Sequence, residues 1–394
     1  MLTTRTAREC PRVGAACICL TDWQALVLKL LLECALGASS SYAPYLATLP
    51  VQPTGPQDEA AFMHPLLWPP SLASSLLHGS FMLPKLRKSL EQCRDDAACI
   101  RAALSDHPCG ELATLPSDED VRWAASMVLS RAFYLPGVDD DSDDAENESA
   151  VLALVPWADA LNHSSHADER SVLQYDPEER CAVLFAHKCY APGDQVFDSY
   201  SPGKAPVDTL LEYGFVEPRS TTAAVDRVDV PASCLGAMPE SNEQLLSSVG
   251  LDPATAIASL SADGPDPGVL AWLRVASATP EELRTAGWSD LPSADINDRT
   301  RQVAYEVMGK FMASQGSRNE SAALQRLQLA LETQCTAYST ELEDDIARLD
   351  VMEAQSWSPG RQHAELTALR AIVSERTALQ GSLDAVIAAL RAQM

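Results

Sequence analysis

Apolar residues recur at helical spacing through the N-terminal third of the chain. Leu28, Leu32 and Leu36 share one face of a segment that ends at Gly37, a residue suited to stop a helix. Residues up to Tyr134 are therefore predicted to form a helical layer. Its helices are expected within 23–36, 65–104 and 118–134.

Between residues 151 and 215 the pattern changes to short strands. The predicted strands are Val151–Val155, Ser171–Tyr175, Ala182–Ala186 and Gln195–Tyr200. Strands this short need partners from elsewhere in the chain, so a compact and irregular β unit is expected. Just before it, Asp139–Ser149 carries seven acids in eleven residues. This run has no apolar periodicity and is predicted to be a solvated loop.

After Phe215 the pattern is mostly helical again. Apolar positions advance by threes and fours from Leu324 to Leu349 and again from Leu366 to Leu390, and Trp357-Ser-Pro-Gly360 separates the two runs. Two long helices joined by a tight turn are predicted to pack antiparallel.

Composition limits the partners that the chain can have. With 394 residues, 46% of them apolar, it is long enough for two domains or more. Its formal net charge of −26 repels phosphate backbones, so no direct nucleic-acid partner is predicted. Such a surface favours a basic or neutral protein partner.

Cysteine usage and the N-terminal segment bear on the compartment. The eleven cysteines are an odd number without a disulfide framework, which is typical of reduced, intracellular thiols. Residues 1–20 contain three arginines and a single acid, a weak resemblance to an organelle transit peptide. An intracellular location is predicted, with the chloroplast and the cytoplasm both left open.

Neither a membrane span nor a metal centre is predicted. The longest apolar stretch, 23–36, contains Lys29 and Glu33 and is too short to cross a bilayer. His163 and His166 could form a metal pair, but no third ligand accompanies them.

Four short motifs follow one another between residues 130 and 215. They are Ser130-Arg131-Ala-Phe, Asp159-x-x-Asn162-His163-Ser, Pro192-Gly-Asp-x-Val-x-x-x-Tyr200 and Glu212-Tyr213-Gly-Phe. Each is ordinary alone, and the specificity lies in their order and spacing. Together they resemble the catalytic half of a SET-domain methyltransferase. The resemblance is closest to the subgroup typified by the Rubisco large-subunit lysine methyltransferase.

The resemblance implies S-adenosyl-L-methionine as the cofactor and a protein lysine as the methyl acceptor. Ser130 and Arg131 would contact the cofactor, with the planar guanidinium on its carboxylate. Asn162 and His163 would line the cofactor pocket, and Asp159 would help to hold it. The cofactor carries its own leaving group, so the protein mainly has to align and desolvate the reactants.

The same resemblance assigns the acceptor side of the site. Tyr200 would place its hydroxyl beside the transferred methyl group and would also contact the cofactor, while Tyr213 would line the lysine channel. The acceptor must be a neutral amine, so an apolar channel has to lower a lysine pKa of about 10.4. Phe197 and Phe215 are candidate walls of that channel, and a plain core role for both stays open.

The fold class implied is α+β. A partial SET β-core that lacks its N-terminal strands would carry a helical insert and an all-α C-terminal substrate-binding domain. The predicted divisions are an N-terminal remnant at 1–20, the insert at 21–149, the catalytic half at 150–220 and the helical domain at 221–394. Because residues 1–20 hold no Gly-x-Gly-like segment to approach the cofactor, we expect weak or no binding of S-adenosylmethionine.

Three functions stay open at this point. The first is a protein-lysine methyltransferase, acting as a monomer on a folded protein. The second is a protein-histidine methyltransferase of the same fold, whose acceptor pocket would differ near Leu173–Tyr175. The third is a non-catalytic protein-interaction module, because fold alone does not decide function.

Overall fold

The computed structural model describes most of the chain. The described residues are 1–135, 151–166, 172–176, 179, 181–186, 188–200, 203–220, 222, 225–252, 254–288, 298–312, 317–355 and 360–393. The predicted acidic loop Asp139–Ser149 lies outside them. Among the described helices, none is long and apolar enough to cross a lipid bilayer.

The elements are numbered in chain order. The strands are β1 Leu2–Thr3, β2 Ala132–Leu135, β3 Val151–Leu154, β4 Asn162–His163, β5 Val172–Asp176, β6 Cys181–Phe185, β7 Phe197–Asp198, β8 Arg227–Pro231, β9 Ile257–Ser261 and β10 Gly264–Pro265. The α-helices are α1 Thr4–Arg8, α2 Gly14–Cys17, α3 Asp22–Leu36, α4 Ala43–Leu46, α5 Pro70–Leu76, α6 Met82–Asp106, α7 Asp118–Arg131, α8 Pro206–Tyr213, α9 Glu240–Ser248, α10 Pro267–Ala276, α11 Pro280–Ala286, α12 Asp298–Phe311, α13 Ser317–Cys335, α14 Leu342–Glu353 and α15 Arg361–Ala392.

Helix α3 forms the centre of the N-terminal body. A capping box starts it: the Gln24 N–H donates to Thr21 Oγ1, and the Thr21 N–H donates to Gln24 Oε1. The two charges that interrupt its apolar run are buried as a pair, with Lys29 Nζ 2.7 Å from Glu33 Oε1. A buried charge is tolerated only with such a partner, so the pair lets α3 pack on both sides.

A small antiparallel sheet places the first candidate site residues. Strand β3 lies between β1 and β2, and Leu154 is opposite both Leu2 and Ala132. All four residues of β3 are buried. Strand β2 follows α7 directly, so Ser130 and Arg131 are fixed at the point where the helix meets the sheet.

A second pairing brings together segments that are distant in the sequence. Strands β4 and β7 are parallel, with Asn162 opposite Phe197 and His163 opposite Asp198. The Asp198 carbonyl also accepts the Ser164 N–H at 2.9 Å. This pairing brings the Asn-His motif alongside the segment that ends at Tyr200.

The C-terminal region is helical, as predicted, but it is not all-α. Strands β8, β9 and β10 form an antiparallel sheet in the order β10-β9-β8. Its core face is made by alternate residues, Val228 and Val230 on β8 and Ala258 and Leu260 on β9, all buried. Two apolar positions per strand, beside the prolines of this region, were too weak a pattern to predict a sheet.

Helix α15 passes through several cores. Ala364, Ala368 and Ile372 pack with the core beneath α8. Further along, Leu379 and Leu383 pack in the core of the C-terminal region. One helix therefore ties the candidate site to the C-terminal helices and sheet.

Three element boundaries differ from the predicted ones. Residues 132–134 form strand β2 rather than the end of a helix, since they pair with β3. The last predicted strand of the β unit shortens to Phe197–Asp198. The run from Leu324 to Leu349 is two helices, α13 and α14, because the chain turns where the Thr340 carbonyl accepts a hydrogen bond from Arg376.

Candidate active site

One cavity of about 320 Å³ lies where β2, the 3-10 helix Ala158–Ala160 and α8 meet. Its volume lies within the usual range of small-molecule sites. It is lined by Ser130, Arg131, Ala132, Phe133, Tyr134, Asp159, Leu173, Asp198, Ser199, Tyr200 and Tyr213.

A chain of polar contacts holds the charged wall of this cavity. Asp159, whose side chain is 5% exposed, lies with Oδ2 3.7 Å from Arg131 Nη1. The same oxygen accepts the hydroxyl of Tyr45 at 2.7 Å. Burial raises the pKa of the Asp159 carboxyl. Tyr45 reaches this carboxyl from helix α4 and thereby helps to fix the orientation of Arg131.

Arg131 keeps one buried donor without a partner. Its Nε has no hydrogen-bond acceptor among the described residues. A buried N–H without an acceptor costs free energy, so a further acceptor at this cavity wall would be stabilised by pairing with Arg131 Nε. The neighbouring Ser130 bonds back to its own helix, with Oγ donating to the Ser126 carbonyl at 2.7 Å.

The Tyr200 hydroxyl is held at the other wall. It donates to the Leu161 carbonyl at 2.6 Å, and burial raises the pKa of Tyr200 to about 12. The Tyr200 N–H donates to His163 Nδ1 at 3.1 Å. His163 therefore carries its proton on Nε2, which faces Glu217 at 3.7 Å. Burial lowers the pKa of His163, which favours the neutral ring.

Aromatic rings close the site around these groups. The Tyr200 ring centroid lies 4.9 Å from that of Tyr213 and 6.1 Å from that of Phe215. The Phe215 ring also lies 5.9 Å from His163. These distances are typical of packed aromatic pairs. The cluster supplies an apolar wall with a few polar tips, as a channel for a desolvated amine would require.

The turn after α8 fixes Tyr213. Gly214 has φ of +81°, and a Cβ there would lie 2.4 Å from the Met63 carbonyl oxygen. His64 is buried beneath this turn, with Nε2 3.1 Å from the Glu212 carbonyl, and burial lowers its pKa to about 4. Helix α15 contributes Arg370, which donates to the Val216 carbonyl at 2.8 Å.

The structure brings most, but not all, of the predicted site residues to one cavity. Ser130, Arg131, Asp159, Tyr200 and Tyr213 line it. Asn162 is exposed and His163 lies behind Tyr200, so neither lines this cavity. The roles assigned to the individual residues stay predictions.

Sequence reasoning missed three polar groups of the site. Asp198, whose Oδ1 accepts the Ser199 N–H at 2.8 Å, lies in the Phe-Asp-Ser-Tyr segment but was not singled out. Tyr45 belongs to the Tyr-x-x-Tyr-Leu segment of the insert, and Glu217 follows Phe215 by two positions. Their proximity depends on tertiary contacts, and no local spacing indicated it.

No metal centre was found where the structure can be described. Within those ranges, no group of three or more His, Cys, Asp or Glu side chains is placed to hold a metal ion.

The chain is similar to known proteins in its C-terminal sequence and in its fold. The model of the family described as Rubisco LSMT substrate-binding matches residues 240–379. The SET domain of LSMT bound to lysine and AdoHcy superposes with a TM-score of 0.72 at 18% identity, over 100% of this chain and 80% of that one. The chain therefore has the fold of this SET-domain structure, and residues 240–379 resemble the Rubisco LSMT substrate-binding family.

Curated relatives are similar over different lengths. N-lysine methyltransferase SETD6 of Bos taurus is 26% identical over 358 residues, 86% of this chain and 73% of the relative. SETD6 of Homo sapiens is 27% identical, but the match covers 46% of it. The actin-histidine N-methyltransferase of Danio rerio is 27% identical over 66% of this chain and 40% of the relative. The chain thus spans about half the length of several relatives.

Proposed function

We propose that this SET-domain chain is an S-adenosylmethionine-dependent protein-lysine N-methyltransferase. One observation carries the proposal: Arg131, Asp159, Tyr200 and Tyr213, which come from four separate segments, line a single cavity. The named activity of the SETD6 relatives and the lysine and AdoHcy in the LSMT structure support the same reaction.

The residues present fit the cofactor at the charged wall. S-adenosylmethionine supplies an electrophilic methyl group and carries a carboxylate. The unpaired Nε of Arg131 is a donor suited to that carboxylate. Asp159 pairs with the same guanidinium at Nη1, and the Tyr45 hydroxyl donates a hydrogen bond to Asp159. Arg131 would bind the cofactor carboxylate, and Asp159 and Tyr45 would position Arg131.

The aromatic wall would prepare the acceptor. A lysine side chain has a pKa of about 10.4 in water. Contact with Tyr213, which packs against Phe215, would disfavour the charged form of the lysine by excluding water. Tyr200, with its raised pKa, keeps its proton at neutral pH and donates it to the Leu161 carbonyl. Its hydroxyl lone pairs then remain available to orient the acceptor nitrogen.

The acceptor protein belongs to the same proposal. A net charge of −26 favours a basic or neutral substrate, and the helical C-terminal region would hold it. We propose that the chain acts as a monomer in an intracellular compartment, without direct nucleic-acid or membrane partners. Gel filtration with light scattering tests the monomer, and a dimer at micromolar concentration would contradict it.

The decisive experiment compares matched arginine variants. The chain is incubated with labelled S-adenosylmethionine and a cell extract, and labelled sites are mapped by mass spectrometry. Arg131→Gln should raise the KM for the cofactor at least tenfold, the equivalent of about 1.4 kcal/mol. Arg122→Gln changes an equally exposed arginine of the same helix, which is paired with Glu119 and does not line the cavity, and it should leave KM unchanged.

Other outcomes separate the alternatives. Label on histidine instead of lysine would favour the activity named for the zebrafish relative. If no protein of the extract is labelled at any cofactor concentration, but one of them still binds to the chain, the result would favour a non-catalytic interaction module.

A further inference from the structure

A second cavity, of about 660 Å³, lies in the C-terminal region, away from the candidate active site. Helix α13, the β8–β9 sheet and the start of α6 surround it. Its inner wall consists of the buried side chains of Val230, Leu235, Leu260, Leu331 and Leu379. This lining indicates an apolar occupant, since an apolar chain placed against it would itself be removed from water.

One cation stands at the mouth of this apolar space. Arg326 donates three hydrogen bonds to backbone carbonyls: Nε to Leu235 at 2.7 Å, Nη1 to Ala276 at 3.1 Å and Nη2 to Ala237. The mouth is marked by exposed Ala237 and by Leu329, which is 67% exposed.

The charge of Arg326 is hydrogen-bonded but not neutralised. Among the described residues, no carboxylate lies within 4.0 Å of its guanidinium, in a chain with 55 acidic residues. Carbonyl oxygens occupy three of its five N–H donors and leave two for a further acceptor. Two other arginines, the buried Arg274 and the half-buried Arg370, have a carboxylate partner at 2.6 and 2.7 Å respectively.

We propose that this cavity binds a small amphipathic carboxylate, with its chain inside and its carboxylate on Arg326. The arrangement matches such a ligand end to end, because the cation is at the mouth and the apolar wall is behind it. A neutral lipid would leave the cation uncompensated, and an amphipathic cation would be repelled. The site is independent of methyl transfer and of the residues assigned to it.

Decanoate is the probe, and a cysteine beside the site reports its position. Cys234 is exposed and lines the cavity, whereas Cys99 is exposed on α6 and does not. Decanoate should slow alkylation of Cys234 at least tenfold, with Cys99 unchanged, when both rates are followed by mass spectrometry. Calorimetry should give one site per chain.

Matched ligands and variants complete the test. Decanol should bind at least tenfold more weakly, because a charge-assisted hydrogen bond to arginine is on the order of one decade in affinity. Ala330→Phe narrows the cavity and should abolish protection of Cys234. Ala347→Phe, on the exposed side of α14, should leave it unchanged. Arg326→Gln should bind decanoate and decanol equally.

The proposal fails if decanoate neither binds nor protects Cys234 in the wild-type chain. Equal binding of decanol and decanoate by the wild type would remove the role of Arg326. Binding that survives in a folded Ala330→Phe variant would place the ligand elsewhere. Capture of a polypeptide by the wild type but not by Ala330→Phe, without decanoate binding, would assign the cavity to a protein segment instead.

Discussion

Removing the Tyr45 hydroxyl tests the polar chain behind the cofactor side of the cavity. In Tyr45→Phe, Asp159 keeps Arg131 at 3.7 Å but loses the donor at 2.7 Å. A hydrogen bond to a charged group contributes about 1.5–3 kcal/mol, and one between neutral groups about 0.5–1.5 kcal/mol. The variant should therefore lose about 1.5–3 kcal/mol of unfolding free energy at a pH where Asp159 is ionised, and about 0.5–1.5 kcal/mol at a pH where Asp159 is protonated.

The pH dependence follows from the direction of the pKa shift. Burial raises the pKa of Asp159 in the folded chain above its value in the unfolded chain. In the pH window between these two pKa values the folded chain binds more protons than the unfolded chain, so its stability falls as the pH rises through the window. The Tyr45 hydrogen bond opposes that rise. Without it the window extends to higher pH, so the stability deficit of Tyr45→Phe should grow from about pH 5 to about pH 8.

Urea unfolding at the two pH values measures this deficit. Tyr42→Phe is the matched control, because the Tyr42 hydroxyl donates to a neutral acceptor, the Met1 carbonyl, at 2.9 Å. Its deficit should be about 0.5–1.5 kcal/mol and should not change with pH. Equal deficits for Tyr45→Phe at both pH values would refute the assignment of Asp159 as its ionised partner.

Two further outcomes are expected. Tyr200→Phe should lower turnover by roughly tenfold to a hundredfold, the equivalent of a lost hydrogen bond, and should change cofactor binding far less. An equal loss in turnover, measured by kinetics, and in cofactor affinity, measured by calorimetry, would contradict the role of Tyr200. Burial raises the pKa of Glu375, so the wild-type chain loses stability as the pH rises above the ordinary carboxyl range. The melting temperature of Glu375→Gln should therefore rise relative to that of the wild type over this pH range. A relative fall would argue against a destabilised carboxylate at Glu375.

Local patterns predicted the elements that carry the site. The strands at β3, β5 and β6 lie within a residue or two of the predicted ones, because alternation and turn residues are local signals. The order of the four motifs led to Arg131, Tyr200 and Tyr213, which the fold brings to one cavity. The family resemblance supplied the chemistry.

The missed features depend on contacts between distant segments. Tyr45 and Asp159 are 114 positions apart, and nothing near either residue indicates the other. The pairing of β4 with β7 places His163 behind Tyr200 and leaves Asn162 exposed, so both lie outside this cavity, and their role at the cofactor stays a prediction. A residue pattern predicts a strand, whereas which side chain faces the cavity is set by the strand's partner.

The path of α15 has a consequence for how the chain is made. Arg370 of this helix holds the Val216 carbonyl, just after Tyr213, and Glu375 accepts the Ser80 hydroxyl and the Phe81 N–H. During synthesis on the ribosome, these supports emerge more than 150 positions after the segments of the insert and site that they stabilise. In a nascent chain, this side of the candidate site therefore stays without these supports until α15 has emerged from the ribosome.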